Sequence, residues 1–260
     1  MGYGLLMQQI KAVIFDLGET LLNFERVSVS QLFFKGAQLT YDYLKEHFGS
    51  SGKLGTFRRY HLSHVFSLRW NVLKARLSCR EFDCLALLDY KLKVLGLRAG
   101  KEQLMDLAQL WYDPLRSCAT IEAGLHDYLR ALKGMHLKLA ILSNTFIPAV
   151  VMDRHLQEFE LLEFFSVRVY SSDTIYRKPD KRIYQEALKQ LEVSPSEAVM
   201  VGDKLDMDIR GAGRVGIKSI FKRGVVNRKK RLGGDITVIE SIGDLPVLLG
   251  DGFGRFTVTS

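Results

Sequence analysis

The amino-acid sequence predicts an α/β protein, a doubly wound parallel sheet with an all-helical segment inserted after its first strand. Three observations carry that expectation. A continuous apolar run at 12–15, with similar apolar-rich runs at 137–142, 167–170, 198–201 and 217–221, suits strands buried on both faces. Beyond residue 124 these runs alternate with helical patterns, the order that builds a parallel sheet covered on both sides. Between residues 22 and 120, by contrast, the apolar periodicity is helical and no strand stands out.

The elements follow in order. The run at 12–15 leads directly into Asp16 and a turn containing Gly18. Four helices are expected next, over 24–48, 56–77, 80–95 and 101–110, with breaks at the glycine-serine run 49–55, near Ser78, and at 96–100. Helices over 124–133, 149–159, 181–191 and 206–215 separate the later strands. Ser194, Pro195 and Glu197 mark a turn before the fourth strand, and Gly211, Gly213 and Gly216 loosen the helix after it. The organisation is therefore a core of residues 1–21 and 121–260 with a helical domain, 22–120, between its parts. No internal repeat or low-complexity segment is present.

Composition narrows the function classes. With 260 residues, 47% of them apolar, the chain can bury one substantial core and a smaller module, which excludes a disordered protein. The first ten residues have neither the basic start of a signal peptide nor a span of apolar residues, so a soluble, cytoplasmic protein without a membrane partner is expected. Cys79, Cys84 and Cys118 are odd in number and lack a CxxC pair, which reads as reduced packing thiols.

The net charge of +8 is unevenly spread, with fifteen Lys or Arg against nine Asp or Glu between residues 22 and 120. From Lys53 to Arg80 there are seven basic residues, His61, His64 and no acid, a pattern that favours an anionic partner; a solvated helix face is the alternative. A second basic cluster, Lys222, Arg223 and 228–231, reads as a surface loop. Phe57, Tyr60, Phe66 and Trp70 fall at helical spacing, which favours core packing over base stacking, so nucleic acid is not an expected partner.

Asp16 closes a central parallel strand, where open α/β sheets bind ligands, although a lone carboxylate there serves equally well as a turn cap. Ser143 and Asn144, after the run LKLAIL, read on their own as a turn. The segment GDKLDMD is more specific. It places Asp203, Asp206 and Asp208 within six residues, whose mutual repulsion costs stability unless a cation is bound. Hard oxygen ligands completed by phosphate suit Mg²⁺; an acid-rich helix N-terminus is the metal-free alternative.

The segments KAVIFDLGETLL, ILSN, RKPD and VGDKLDMD, in this order and spacing, resemble the haloacid dehalogenase-like hydrolase superfamily, most of whose members are magnesium-dependent phosphatases. The resemblance covers the first strand and everything from about residue 120. The intervening segment is similar in length and helical character to the cap domain of the first cap class. What the resemblance implies is a Rossmann-like core that hydrolyses a small anionic phosphomonoester. Asp16 would be the nucleophile that forms an aspartyl-phosphate, and Thr20 would brace its loop. Ser143 would hold a phosphate oxygen beside Asn144, and Lys178 would neutralise the nucleophile and phosphoryl group. Mg²⁺ would be held by Asp16, the Gly18 carbonyl and Asp203, with Asp208 orienting a water or Lys178. Asp206, at a variable position, is expected to be solvated or helix-capping. Arg58 and Arg59 in the acid-free run are the candidates for substrate-side charge.

One departure bears on chemistry. Most family phosphatases carry a second aspartate two residues after the nucleophile, which protonates the leaving oxygen and then activates water; here that position is Gly18. Losing general acid-base help costs ~10²- to 10⁴-fold. Glu19 or a cap side chain could supply the acid, the leaving group could need little protonation, or the protein could bind a phospholigand or nucleic acid without turnover. The dehalogenase branch also lacks this aspartate but needs no magnesium, so Asp203 and Asp208 favour phosphate chemistry.

Overall fold

A computed structural model describes residues 9–24, 27–49, 54–233 and 236–250. The first strand, β1 (Ala12–Phe15), is buried at every position and sends alternate side chains to opposite faces. Val13 and Phe15 enter one core with Leu129, Val151 and Phe165; Ala12 and Ile14 enter another with Ile183, Tyr184 and Met200. After β1 come β2 (Leu22–Phe24), the helices α1 (Val29–Phe48), α2 (Phe57–Ser78), α3 (Cys84–Val94) and α4 (Lys101–Arg116), and β3 (Ala119–Ile121). The chain continues through α5 (Leu125–Gly134), β4 (Lys138–Ser143), α6 (Ala149–Glu158), β5 (Val167–Tyr170), α7 (Ser171–Thr174), α8 (Lys181–Leu191) and β6 (Ala198–Gly202). It ends with α9 (Arg210–Gly213), β7 (Lys218–Lys222), β8 (Thr237–Ile239) and α10 (Leu245–Gly250).

Six strands form one parallel sheet in the order β5-β4-β1-β6-β7-β8. β1 pairs with β4 on one side and β6 on the other, so Phe15 lies level with both Ile141 and Val201. The strand order reverses about β1, and the crevice at its carboxyl end is where such sheets bind ligands. Asp16, Ser143 and Asp203 all leave the sheet at that edge.

The helical segment has its own small core of Ala37, Leu44, Tyr60, Leu92, Leu97 and Leu107. Several boundaries differ from expectation for identifiable reasons. The first inserted helix starts at Val29 rather than residue 24, and 22–24 instead form β2, which pairs antiparallel with β3 where the chain leaves and re-enters the core. α3 starts at Cys84 rather than residue 80, since the Asp83 carboxylate caps it by accepting from the Ala86 amide at 2.9 Å. α4 runs on through Pro114 to Arg116. The expected helix over 206–215 opens as a π turn, Leu205–Ile209, before α9. β8 escaped notice because it has only three residues.

On α2, Tyr60 is buried and Phe57 packs beside it, but Phe66 and Trp70 are 74% and 50% exposed, so only half of that aromatic series is core. Lys53, at the start of the basic run, lies outside the described residues. The three cysteines are free thiols, and burial pushes that of Cys84 up to about 12. No described helix is long and apolar enough to cross a membrane.

Candidate active site

The site is assembled around Lys178, a lysine with only 2% of its surface exposed. A buried ammonium is tolerated only when its donors are all used. Its Nζ donates to Asp16 Oδ1 at 2.6 Å, Asp208 Oδ1 at 2.7 Å and the Leu142 carbonyl at 2.8 Å. Burial opposes the charge on Lys178, but the two carboxylates outweigh it and hold the lysine protonated. Burial likewise works against ionised Asp16, and is overcome by Lys178 and Lys204, which hold its carboxyl below the usual range. At Asp208 burial prevails and the carboxyl is raised.

Asn144 fixes the position of this lysine. Its side-chain amide donates to the Lys178 carbonyl at 2.9 Å and its oxygen accepts from the Lys178 amide at 2.7 Å. Asn144 lines the cleft while its side chain is bonded to the Lys178 backbone. Ser143, at the end of β4, lines the same cleft.

The acidic segment after β6 folds back on the site. Asp208 Oδ2 accepts from the Lys204 amide at 2.9 Å, so the π turn aims its carboxylate inward. Asp206 faces solvent and pairs with Arg210. One carboxylate oxygen from each of Asp16, Asp203 and Asp208 lies within 4.8 Å of the others. Asp203 is raised to about 6, chiefly by burial and further by Asp16 and Asp208, against the pull of Lys204. Asp16 Oδ2 is buried and accepts no hydrogen bond. An unpartnered carboxylate oxygen beside a second buried carboxylate is the donor set of a hard cation, so these residues fit Mg²⁺. Lys204 went unremarked in the sequence although it follows Asp203 directly. Its Nζ lies 2.9 Å from Asp203 Oδ1 and 3.8 Å from Asp16 Oδ2, a tethered cation shared between the two carboxylates.

The loop after Asp16 differs from expectation at Thr20. Thr20 is buried, but its hydroxyl has no hydrogen-bond partner and braces nothing. Backbone bonds hold the loop instead, from Glu19 N to Leu22 O at 2.7 Å and from Leu22 N to Leu17 O at 2.9 Å. The left-handed conformation falls on Glu19, with φ 63°, not on Gly18. A Cβ on Gly18 would meet the Phe24 ring at 3.6 Å, an ordinary contact. Glu19 Oε1 accepts from the Phe24 amide at 3.2 Å, and burial raises its carboxyl.

A cleft of about 280 Å³ opens over Asp16, Ser143 and Lys178. Besides Lys178, its basic residues are Lys204, Arg76 and Arg177; Arg58 and Arg59 do not line it. The last two lie at the far end of α2, about 27 Å from Arg76 at 1.5 Å per residue. Arg76 belongs to the acid-free run, so the signal was present and only its location along the helix was not. Arg177 is held through Glu81, which it meets at 3.2 Å and which also accepts from Ser171 Oγ at 2.7 Å. A short backbone splice, Glu81 N to Ile175 O and Arg177 N to Cys79 O, fastens the α2–α3 connection to the segment before Lys178.

Residues 10–216 match the family described as haloacid dehalogenase-like hydrolase. Glyceraldehyde 3-phosphate phosphatase of Methanothermobacter thermautotrophicus is 31% identical over 123 residues, covering 45% of this chain and 54% of that protein. The chain spans about half the length of the curated relatives it matches. Among solved structures, a HAD phosphatase from Thermococcus onnurineus superposes with a TM-score of 0.60 at 24% identity, covering 93% of this chain and 98% of that one. A 2-haloacid dehalogenase from Pseudomonas syringae pv. Tomato superposes with a TM-score of 0.63 at 22% identity, over 94% and 99%. At such identities the likeness is one of fold, and it extends to two different chemistries.

Proposed function

This chain belongs to the haloacid dehalogenase-like hydrolase family, and from that premise we propose that it is a magnesium-dependent phosphatase acting on a small phosphomonoester through an aspartyl-phosphate on Asp16. The observation that carries this reading is the buried Oδ2 of Asp16, which accepts no hydrogen bond and lies beside the buried Asp203, with the other Asp16 oxygen fixed by Lys178. A dehalogenase has no use for a cation site; the cluster of three buried carboxylates favours phosphate.

Asp16 attacks phosphorus through a carboxylate oxygen while Lys178 holds the carboxylate in place and keeps it ionised. The Ser143 hydroxyl donates to an equatorial phosphoryl oxygen. Asp16, Asp203, Asp208 and the Gly18 carbonyl would hold Mg²⁺, which when bound offsets charge on the phosphoryl oxygens. Lys204 must then leave the carboxylate pair, and its free ammonium is near enough to the cleft to meet the phosphate. Residues 22–120 act as a cap that excludes water over the core of 1–21 and 121–260, with Arg76 and Arg177 facing the anion. The chain's relatives named as phosphatases support the same class of reaction. The three free thiols fit a cytoplasmic setting.

Phosphate release from small phosphate esters, with Mg²⁺ or with EDTA, tests the reading. Asp16→Asn should abolish Mg²⁺-dependent release while leaving the circular-dichroism spectrum unchanged. Wild-type turnover in that variant would exclude Asp16 as nucleophile. Phosphate binding without any turnover would favour a non-catalytic binder.

A further inference from the structure

We propose that the preferred substrate is an aryl phosphomonoester, whose aromatic leaving group occupies a second chamber behind the catalytic cleft. This rests on the phosphatase reading above and narrows its substrate class. Two independent observations converge on it.

The first is that no carboxyl or phenol group beside the cleft stands free to replace the acid missing at Gly18. Among the described residues, Glu19 is turned to the Phe24 amide. Glu81, which borders the second chamber, is held as an acceptor by Arg177 and Ser171. Asp203 and Asp208 are committed to Lys204 and Lys178. The Tyr112 hydroxyl shares a 2.8 Å hydrogen bond with His155 Nδ1, and burial raises its pKa further, which makes it a worse acid than an ordinary phenol. A leaving group must therefore depart largely unassisted. A phenol, with a pKa of ~10, can do so, whereas an alkanol is about as weak an acid as water, ~15.7.

The second observation is the chamber itself, about 310 Å³, which shares Arg76, Tyr112 and Asn144 with the catalytic cleft and so continues it. Beside the Glu81–Arg177 pair, the rest of its lining is mostly apolar and aromatic, with Leu32, Phe33, Val72, Trp111, Phe146 and Ile147 around it. Phe33 and Trp111 stack at 6.0 Å. A three-carbon polar substrate would leave this space unfilled; a ring system fills it. Arg76, lining both cavities and without an ion-pair partner among the described residues, stands at their junction, where charge develops on the departing oxygen. A permanently charged guanidinium stabilises a phenolate without transferring a proton.

In the reaction, a bond forms between a carboxylate oxygen of Asp16 and phosphorus as the bond from phosphorus to the aryl oxygen breaks. The electron pair leaves on that oxygen, which takes a proton from solvent. Water then attacks phosphorus, releases one proton to solvent and returns Asp16 as its carboxylate, so that aryl phosphate and water give a phenol and inorganic phosphate.

The test compares kcat/KM of the full chain with Mg²⁺ for 1-naphthyl phosphate, glycerol 3-phosphate and acetyl phosphate. Naphthyl phosphate should exceed glycerol 3-phosphate by about 100-fold or more. It should also exceed acetyl phosphate, although acetate is the better leaving group, because only the naphthyl ring fills the chamber. Val72→Phe, and Leu32→Phe as a second occluding variant, should each lower the naphthyl-to-acetyl ratio by about tenfold. Equal turnover of glycerol 3-phosphate, or an unaltered ratio in both variants, would overturn the inference and leave the phosphatase reading standing. No release from any of the three would remove both.

Discussion

The chemistry of this protein is concentrated in a few buried charges whose partners are individually identifiable. Lys204 is the clearest case. It occupies the space between Asp203 and Asp16 as a tethered counter-ion, so a divalent cation must displace it. Lys204→Ala should therefore bind Mg²⁺ about threefold to tenfold more tightly, the range expected for loss of a partly exposed competing ion pair. Isothermal titration gives the affinity directly, and weaker binding in the variant would show that Lys204 assists the metal rather than competes with it. Gly18 is the complementary case. Because it has no left-handed φ and a Cβ there meets only the Phe24 ring, Gly18→Asp should fold normally and restore an acid. Turnover of alkyl phosphates should rise by about 10²-fold while that of aryl phosphates changes little. A uniform change in both classes would show that the new carboxylate acts on binding.

At the scale of elements, α2 divides the basic run functionally. Arg58 and Arg59 sit at its start, away from the cleft, and Arg76 sits near its end, within it. Reversing Arg58 and Arg59 together to glutamate should leave KM for a phosphate ester unaltered, whereas Arg76→Glu should raise it at least tenfold. An equal rise in both would mean that long-range charge, not position, matters. The splice between the α2–α3 connection and residues 171–177 depends on Glu81, whose carboxylate is buried against Arg177 and Ser171. Glu81→Leu leaves Arg177 without its partner and should cost about 3–5 kcal/mol in chemical denaturation. Urea midpoints that coincide with wild type would show that solvent reaches the guanidinium in the variant.

For the molecule as a whole, stability should depend on acid through His155. This residue is fully buried between α6 and α4, its Nε2 has no partner, and burial depresses its pKa to about 4 from the usual 6.5. Between those values the unfolded chain binds a proton that the native state does not. Its contribution is complete above pH 6.5 and is lost as pH falls towards 4, amounting to about 3 kcal/mol. His64, also lowered to about 4 by burial, acts in the same window. Thermal unfolding scanned over that range should show a steep decline that His155→Gln makes shallower; parallel curves would place the acid sensitivity elsewhere.

The parallel sheet, the inserted helices and the four segments that carry the site can be read from sequence because each is a local pattern. An apolar run of four residues ahead of a glycine-containing turn suits a strand buried on both faces, and β1 is that. Asp203 and Asp208 stood out because neighbouring acids repel one another without a cation, whereas Asp16 and Lys178 were singled out through the resemblance of their segments; the fold brings the four together. Residues whose roles depend on distance were not legible. Arg58 and Arg76 share one run and one helix, and only the angle and length of α2 against the core decide which meets the cleft. Thr20 appeared to brace a loop, yet the fold leaves its hydroxyl without a bond, and it ties the Asn144 side chain to the Lys178 backbone. Periodicity is written along the chain, but charge compensation is settled among groups such as Lys178 and Asp16, which become neighbours only when β1 and the segment before α8 are packed together.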